Sequence, residues 1–154
     1  MVPSLARIFR FQRRALLVED NPMIRDNLVA ALTEMANVEV IATAETEEQA
    51  VRWLAESAAR VDLVILDLML AQGSGIGVLR SLRQQRLRAP VVVLTNYATQ
   101  DIRERCLELG AAAMFDKSQE VDDFLAFCHS ATPIASAKAS ASAKTAALKT
   151  RMAA

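Results

Sequence analysis

Five residues with chemically reactive side chains each follow or end a short apolar run of the sequence. They are Glu19, Asp20, Asp67, Thr95 and Lys117. Carboxylates held within side-chain reach of one another repel strongly and need a compensating cation. Oxygen ligands with no His or Cys beside them favour Mg²⁺ over Zn²⁺. A carboxylate beside Mg²⁺, a hydroxyl and an ammonium can accept a phosphoryl group, so we predict this chemistry at Asp67 if folding brings the five together.

The apolar runs themselves predict the elements that would position these side chains. Runs at residues 15–18, 38–42, 63–66, 91–94 and 112–115 are typical of strands buried on both faces. Between them, apolar residues at helical spacing predict five helices, whose stripes begin at Ile24, Ala50, Val78, Ile102 and Val121. This alternation predicts an α/β fold, in which a parallel sheet is covered by helices on both faces.

The order of the strands decides whether the reactive residues meet. In the flavodoxin-like, doubly wound order 2-1-3-4-5, the third strand lies between the first and the fourth. Neighbouring strands are about 4.8 Å apart, so Asp67 would lie within reach of Thr95 and of the acids that follow the first strand. Lys117 would lie one strand further away. We therefore predict a five-stranded sheet in this order, flanked by five helices.

Charge is distributed unevenly along the 154 residues, although the formal net charge is zero. Residues 1–14 and 129–154 carry four basic residues each and no acid, so all 18 acids lie between them. We predict a basic N-terminal extension (1–13), one domain (14–130) and a flexible Ala/Ser/Lys-rich tail (131–154).

The hydrophobic content of 53% excludes a wholly disordered chain, and the short apolar runs exclude a membrane-spanning helix. No secretory signal is present and two cysteines make no disulfide framework, which indicates a cytoplasmic protein.

Four motifs in the expected order resemble the receiver domain of two-component response regulators, of the single-domain, chemotaxis-regulator-like kind. They are LLVEDNP (16–22), LVILDLML (63–70), VVVLTNYA (91–98) and GAAAMFDKS (110–118). The resemblance covers residues 15–128, or about three quarters of the chain. It implies that Asp67 is the phosphoacceptor, with Thr95 as the switch hydroxyl and Lys117 as the lysine of the site. It also implies that Mg²⁺ is held by Glu19, Asp20, Asp67 and the backbone carbonyl of Met69.

The chain departs from the usual receiver pattern around the switch residues. Met114 stands three residues before the lysine, where many receivers have an aromatic residue, and Phe115 is expected to point to the other face of its strand. Tyr97 or a rearranged Met114 is the candidate substitute. Asn96 follows the switch Thr, where a small residue is common. We hypothesise that Met69 and Tyr97, which flank the acceptor, restrict attacking water and lengthen the lifetime of the phosphoryl group.

The resemblance also implies partners and an output surface. The phosphoryl donor would be a histidine kinase or a phosphotransfer protein. Output would pass through helix 4, strand 5 and helix 5, to a downstream protein or to a second copy in a homodimer. In this chain the surface carries the charged residues Asp101, Arg103, Glu104, Arg105 and Glu108. We expect a stand-alone receiver, with no enzymatic activity beyond self-phosphorylation and slow self-dephosphorylation.

Two other functions compete with this interpretation. A nucleic-acid-associated adaptor would use the basic tail, but four charges give only a weak, salt-sensitive attraction, which makes nucleic acid an unlikely partner. A phosphatase-like enzyme would also use Asp67 as nucleophile, but Met69 stands where such enzymes carry a second Asp. The glycine-rich stretch at 73–77 lacks the Gly-Lys-Ser/Thr ending of a phosphate-binding loop, so we predict that it forms the turn into the third helix.

Overall fold

A computed structural model describes residues 12–130, which form one five-stranded parallel sheet with helices on both faces. The strand order is β2-β1-β3-β4-β5. The strands are β1 (Arg13–Val18), β2 (Val38–Ala44), β3 (Leu63–Leu66), β4 (Val91–Thr95) and β5 (Ala113–Asp116). The helices are α1 (Pro22–Met35), α2 (Glu47–Ser57), α3 (Gly75–Gln85), α4 (Gln100–Glu108) and α5 (Val121–Ser130), with a short 3₁₀ turn at Ala58–Arg60. The predicted flavodoxin-like α/β fold is confirmed, including its strand order.

Side chains of the strands alternate between two core layers, one on each face of the sheet. The layer beneath α2, α3 and α4 contains Leu54, Leu79, Cys106 and Met114. The opposite layer, beneath α1 and α5, contains Leu32, Phe124 and Cys128. All four residues of β3 are buried, which fits a central strand of a sheet covered on both faces. The two cysteines are free and buried, and burial raises the pKa of the Cys128 thiol to about 12.

Local capping explains why the helices begin close to the carboxyl ends of the strands. The Asn21 side chain accepts hydrogen bonds from the backbone N–H groups of Met23 and Ile24, and Pro22 occupies the first helical position of α1. The Thr46 hydroxyl caps α2 by accepting from the Gln49 N–H. Short loops of this kind hold the residues that follow each strand near one edge of the sheet.

The ends of the chain bear on two of the predictions. Residues 1–11 of the predicted extension and the whole predicted tail, 131–154, lie outside the described residues. The nucleic-acid alternative, which depends on that tail, therefore stays a prediction. Within residues 12–130, no helix is long and apolar enough to cross a membrane.

Candidate functional site

The three predicted acids converge at the carboxyl edge of the sheet. The N–H of Glu19 donates to the Ala44 carbonyl at 2.9 Å, and the N–H of Asp67 donates to the Val18 carbonyl at 3.0 Å. Each acid therefore continues the hydrogen-bond ladder of its strand by one residue. Carboxylate oxygens of Glu19, Asp20 and Asp67 lie within 4.8 Å of one another. Glu19 and Asp67 are buried, whereas Asp20 is partly exposed.

Lys117 reaches this cluster from the far side of β4. Its backbone N–H donates to the Thr95 carbonyl at 3.0 Å, which fixes the start of its side chain. The Nζ then donates to Asp67 Oδ2 at 2.7 Å and also forms an ion pair with Glu19. Lys117 was predicted to lie one strand further from Asp67 than Thr95, and its long side chain spans that distance to make a direct contact.

The electrostatics of the cluster follow from burial and from this lysine. Burial raises the pKa of the Glu19 carboxyl, although the hydrogen bond from Lys117 opposes the shift. Burial alone would lower the pKa of Lys117, but its hydrogen bonds to Asp67 and Glu19 outweigh burial and raise it. Among the described residues, three acids face one ammonium, so this part of the site retains an excess of negative charge when all three are ionised.

The donor set fits a hard divalent cation. Within residues 12–130, the cluster of Glu19, Asp20 and Asp67 offers three carboxylate oxygens at close separation. The side chain hydrogen-bonded to these carboxylates is Lys117, not a His or a Cys. Such a set suits Mg²⁺, which prefers oxygen ligands. The Met69 N–H donates to Asp67 Oδ1 at 3.3 Å, so the backbone after the acid folds back toward it.

Thr95 lies at the end of β4, fully buried and opposite Asp116 in the ladder. Its hydroxyl oxygen accepts a hydrogen bond from the Tyr97 N–H at 3.3 Å. The hydroxyl is therefore tied to the loop between β4 and α4. Asn96 and Tyr97 are exposed on that loop, with 53% of Tyr97 accessible to solvent.

Met114 and Phe115 point to opposite faces of β5, as predicted. Met114 is buried in the core layer beneath α4, and Phe115 packs edge-on against Phe124 in the other layer. Tyr97 is half exposed and Met114 is buried, and the role of either as the substitute for the switch aromatic stays a prediction.

Arg103 lies partly exposed among the elements of the predicted output surface and is bonded to them. Its guanidinium donates to the carbonyls of Ala98 at 3.3 Å and Met114 at 3.0 Å, and it forms an ion pair with Glu120. Arg103 therefore joins the β4–α4 loop to β5 and to the start of α5. The other charged residues of α4 on the predicted surface are Asp101, Glu104, Arg105 and Glu108, and all four are exposed.

The glycine-rich stretch forms the turn into α3, as predicted. The Ser74 hydroxyl caps this helix by accepting from the Gly77 N–H at 3.1 Å. Gly75 is buried against the backbone that follows β3, because a Cβ placed there would lie 2.7 Å from Leu68 Cα. The absence of a side chain at Gly75 lets α3 begin directly beside Asp67.

Substituting Gly75→Ala is expected to destabilise the protein, because the added methyl group meets backbone atoms that cannot rotate away. Overpacking of this kind costs about 1–3 kcal/mol, which urea unfolding of the purified variant would measure. Gly77→Ala is a matched control on the same helix, since its Cβ meets only the end of the Glu47 side chain. An equal or smaller loss of stability in Gly75→Ala than in Gly77→Ala would contradict this explanation.

Comparisons with known proteins agree with the fold. Residues 15–128 match the family described as the response regulator receiver domain. Among curated proteins, the transcriptional regulatory protein PdtaR of Mycobacterium tuberculosis is 34% identical over 113 residues, covering 73% of this chain and 53% of PdtaR. The probable C4-dicarboxylate response regulator DctR of Bacillus subtilis is 31% identical over 102 residues, covering 66% of this chain and 44% of DctR. The chain thus spans about half the length of the curated relatives it matches.

Solved structures give the same result. The BeF3-activated N-terminal receiver domain of Klebsiella pneumoniae RstA is 28% identical, with a TM-score of 0.65 over 73% of this chain and 92% of that domain. The family match covers most of the described residues and includes every residue of the acidic cluster as well as Lys117. The chain therefore belongs to the response regulator receiver domain family of two-component systems.

Proposed function

We propose that the protein is a signalling receiver, phosphorylated on Asp67 by a histidine kinase or a phosphotransfer protein. Phosphorylation and Mg²⁺ binding are typical of receiver domains, which are generally non-enzymatic signalling domains. Family membership therefore favours signalling over the phosphatase-like alternative. The observation that carries the proposal is the direct contact of Lys117 Nζ with the carboxylate of Asp67, at 2.7 Å, inside a cluster of three acids.

The reaction follows from the chemistry of that carboxylate. An oxygen of Asp67 attacks phosphorus, and the bond between phosphorus and the donor's imidazole nitrogen breaks. The electron pair of that bond leaves with the imidazole, so the product is an acyl phosphate on Asp67. Burial of Asp67 keeps bulk water away from the attacking oxygen, and Lys117 holds the side chain in place.

The other residues of the site receive roles from their positions. Lys117 would transfer its hydrogen bond to an oxygen of the phosphoryl group, and the Thr95 hydroxyl, which accepts from the Tyr97 N–H, would donate its own O–H to another such oxygen. Glu19, Asp20, Asp67 and the Met69 carbonyl would hold Mg²⁺. When bound, Mg²⁺ offsets negative charge on the attacking and phosphoryl oxygens. The related RstA receiver domain is described as BeF3-activated, and BeF3 resembles a phosphoryl group, which supports phosphorylation as the activating event.

Incubation with acetyl phosphate tests the proposal without a cognate kinase. With Mg²⁺ present, intact mass spectrometry should show one added phosphoryl group, and EDTA should abolish the addition. No addition at saturating Mg²⁺, or addition unaffected by EDTA, would contradict the proposed function.

The output would pass through the surface of α4, β5 and α5 to a protein partner or a second copy of the chain. Movement of the Thr95 hydroxyl would displace the β4–α4 loop, because the Tyr97 N–H of that loop donates to it. Arg103 is bound to the same loop through the Ala98 carbonyl. A phosphorylation-dependent shift of α4 would then change how its charged residues are presented. That the receiver stands alone, and that it works in the cytoplasm, remain predictions.

Met69→Ala and Tyr97→Ala are each expected to shorten the lifetime of the phosphoryl group severalfold. Both side chains are more than half exposed, and both are predicted to flank the acceptor, so their removal would open a path for attacking water. Loss of the mass increment over time, after removal of acetyl phosphate, measures the decay rate. Met35→Ala removes another exposed methionine, at the end of α1 opposite to Glu19 and Asp20, and serves as control. Decay at the wild-type rate in both variants would contradict the hypothesis that Met69 and Tyr97 restrict attacking water.

A further inference from the structure

The segment that follows the acceptor is a closed loop, residues 68–74, which we call the acceptor loop. The Gly75 N–H donates to the Leu68 carbonyl at 2.9 Å, and Met69 and Ser74 form an isolated antiparallel bridge. The two ends of the loop therefore hold each other. Because Met69 lies at one end and Ser74 at the other, any group that fixes Ser74 also fixes Met69.

Glu47, the first residue of the neighbouring helix α2, holds this loop at two points. Its carboxylate oxygen Oε1 accepts a hydrogen bond from the Ser74 N–H at 2.9 Å. Its backbone N–H donates to the Gln72 carbonyl at 3.1 Å. These contacts lie on both sides of Gly73, which is the residue that turns the loop with φ of +76°. A single residue of α2 thus attaches the acceptor loop to a second element of the fold.

Two glycines leave the space that the Glu47 side chain fills. A Cβ at Gly73 would lie 2.9 Å from Glu47 Oε1, and a Cβ at Gly77 would lie 2.7 Å from Glu47 Oε2. The carboxylate is therefore enclosed between the loop and the first turn of α3. This packing distinguishes Glu47 from its neighbour Glu48, which is exposed and, among residues 12–130, pairs with Arg52.

We propose that Glu47 is a positioning residue, which fixes the acceptor loop so that the Met69 backbone lies correctly beside Asp67. The contacts run from Glu47 to Ser74, across the bridge to Met69, and from the Met69 N–H to Asp67 Oδ1. This inference rests on the proposed function, in which the Met69 carbonyl is a ligand of Mg²⁺. Outer groups that orient metal ligands typically change metal affinity by about tenfold to a hundredfold when removed.

The first test follows the loop itself, without metal or phosphodonor. In Glu47→Ala, hydrogen exchange of the Ser74 and Met69 amides should accelerate, because the acceptor of the Ser74 N–H is lost. Glu47→Gln should restore slow exchange, since its amide oxygen can accept the same hydrogen bond. Gly77→Ala should displace the carboxylate and reproduce the Glu47→Ala result in a helix that tolerates alanine well. Wild-type exchange rates in both Glu47→Ala and Gly77→Ala would overturn the proposal.

The second test measures the Mg²⁺ dependence of labelling by acetyl phosphate. Glu47→Ala should need about tenfold more Mg²⁺ for half-maximal labelling, and Glu47→Gln should stay close to wild type. Glu48→Ala, one residue away, should leave the dependence unchanged. If Glu47→Ala and Glu47→Gln raise the Mg²⁺ concentration for half-maximal labelling equally, the hydrogen-bond role of Glu47 is overturned. Absence of labelling in the wild type would instead overturn the proposed function, while the exchange experiment would still decide the role of Glu47.

Discussion

Asp67→Asn is expected to abolish labelling by acetyl phosphate completely. The substitution keeps the size and the burial of the side chain but removes the anionic oxygen that attacks phosphorus. An amide oxygen at the same place is a far weaker nucleophile, and it also weakens the interaction with Lys117, now 2.7 Å from the carboxylate. Intact mass spectrometry after incubation with acetyl phosphate and Mg²⁺ measures the effect directly.

Asp62→Asn is the matched control for this experiment. Asp62 immediately precedes β3, at the end of the strand opposite to Asp67, where it pairs with Arg14 at 3.5 Å. It should therefore be labelled like the wild type. Labelling that persists in Asp67→Asn would show that another group is the acceptor, and peptide mapping would then test the neighbouring acids Glu19 and Asp20.

The carboxyl edge of the sheet was predictable because it depends on topology rather than on side-chain detail. Parallel strands end at one edge, so residues that follow apolar runs in a known strand order must meet there. Glu19 and Asp67 lie close together for this reason, and strand alternation places Met114 and Phe115 on opposite faces of the sheet. These predictions required only the two-residue period of a strand and the order 2-1-3-4-5.

The contacts of Glu47 and Arg103 could not be predicted in the same way. Glu47 bonds a residue 27 positions away, and Arg103 bonds Glu120 across 17 positions. Both contacts depend on how far each helix is rotated and on where a long side chain ends, which helical periodicity does not specify. The one local signal for Glu47 was the pair of glycines at 73 and 77, whose missing side chains leave room for its carboxylate.

Lys117→Met is expected to lower the free energy of unfolding of the metal-free protein by about 3 kcal/mol. The lysine is the cation bonded to the buried Glu19 and to Asp67, with only 11% of its side chain exposed. Removing one partner of a buried ion pair leaves an uncompensated charge, which is more costly than losing a surface pair. The two carboxylates would also repel each other without the ammonium between them. Urea unfolding in EDTA measures the loss.

Two further variants separate this explanation from a general loss of packing. Glu19→Gln in the Lys117→Met background should recover much of the stability, because it removes the buried charge that the first substitution left unpaired. Arg105→Ala, which breaks an exposed pair with Glu108 at 4.0 Å, should change stability by only about 0–1 kcal/mol. Mg²⁺ should stabilise Lys117→Met more than wild type, since a divalent cation replaces the missing ammonium among the acids. If the double variant is no more stable than Lys117→Met, the buried charge is not the cause of the loss.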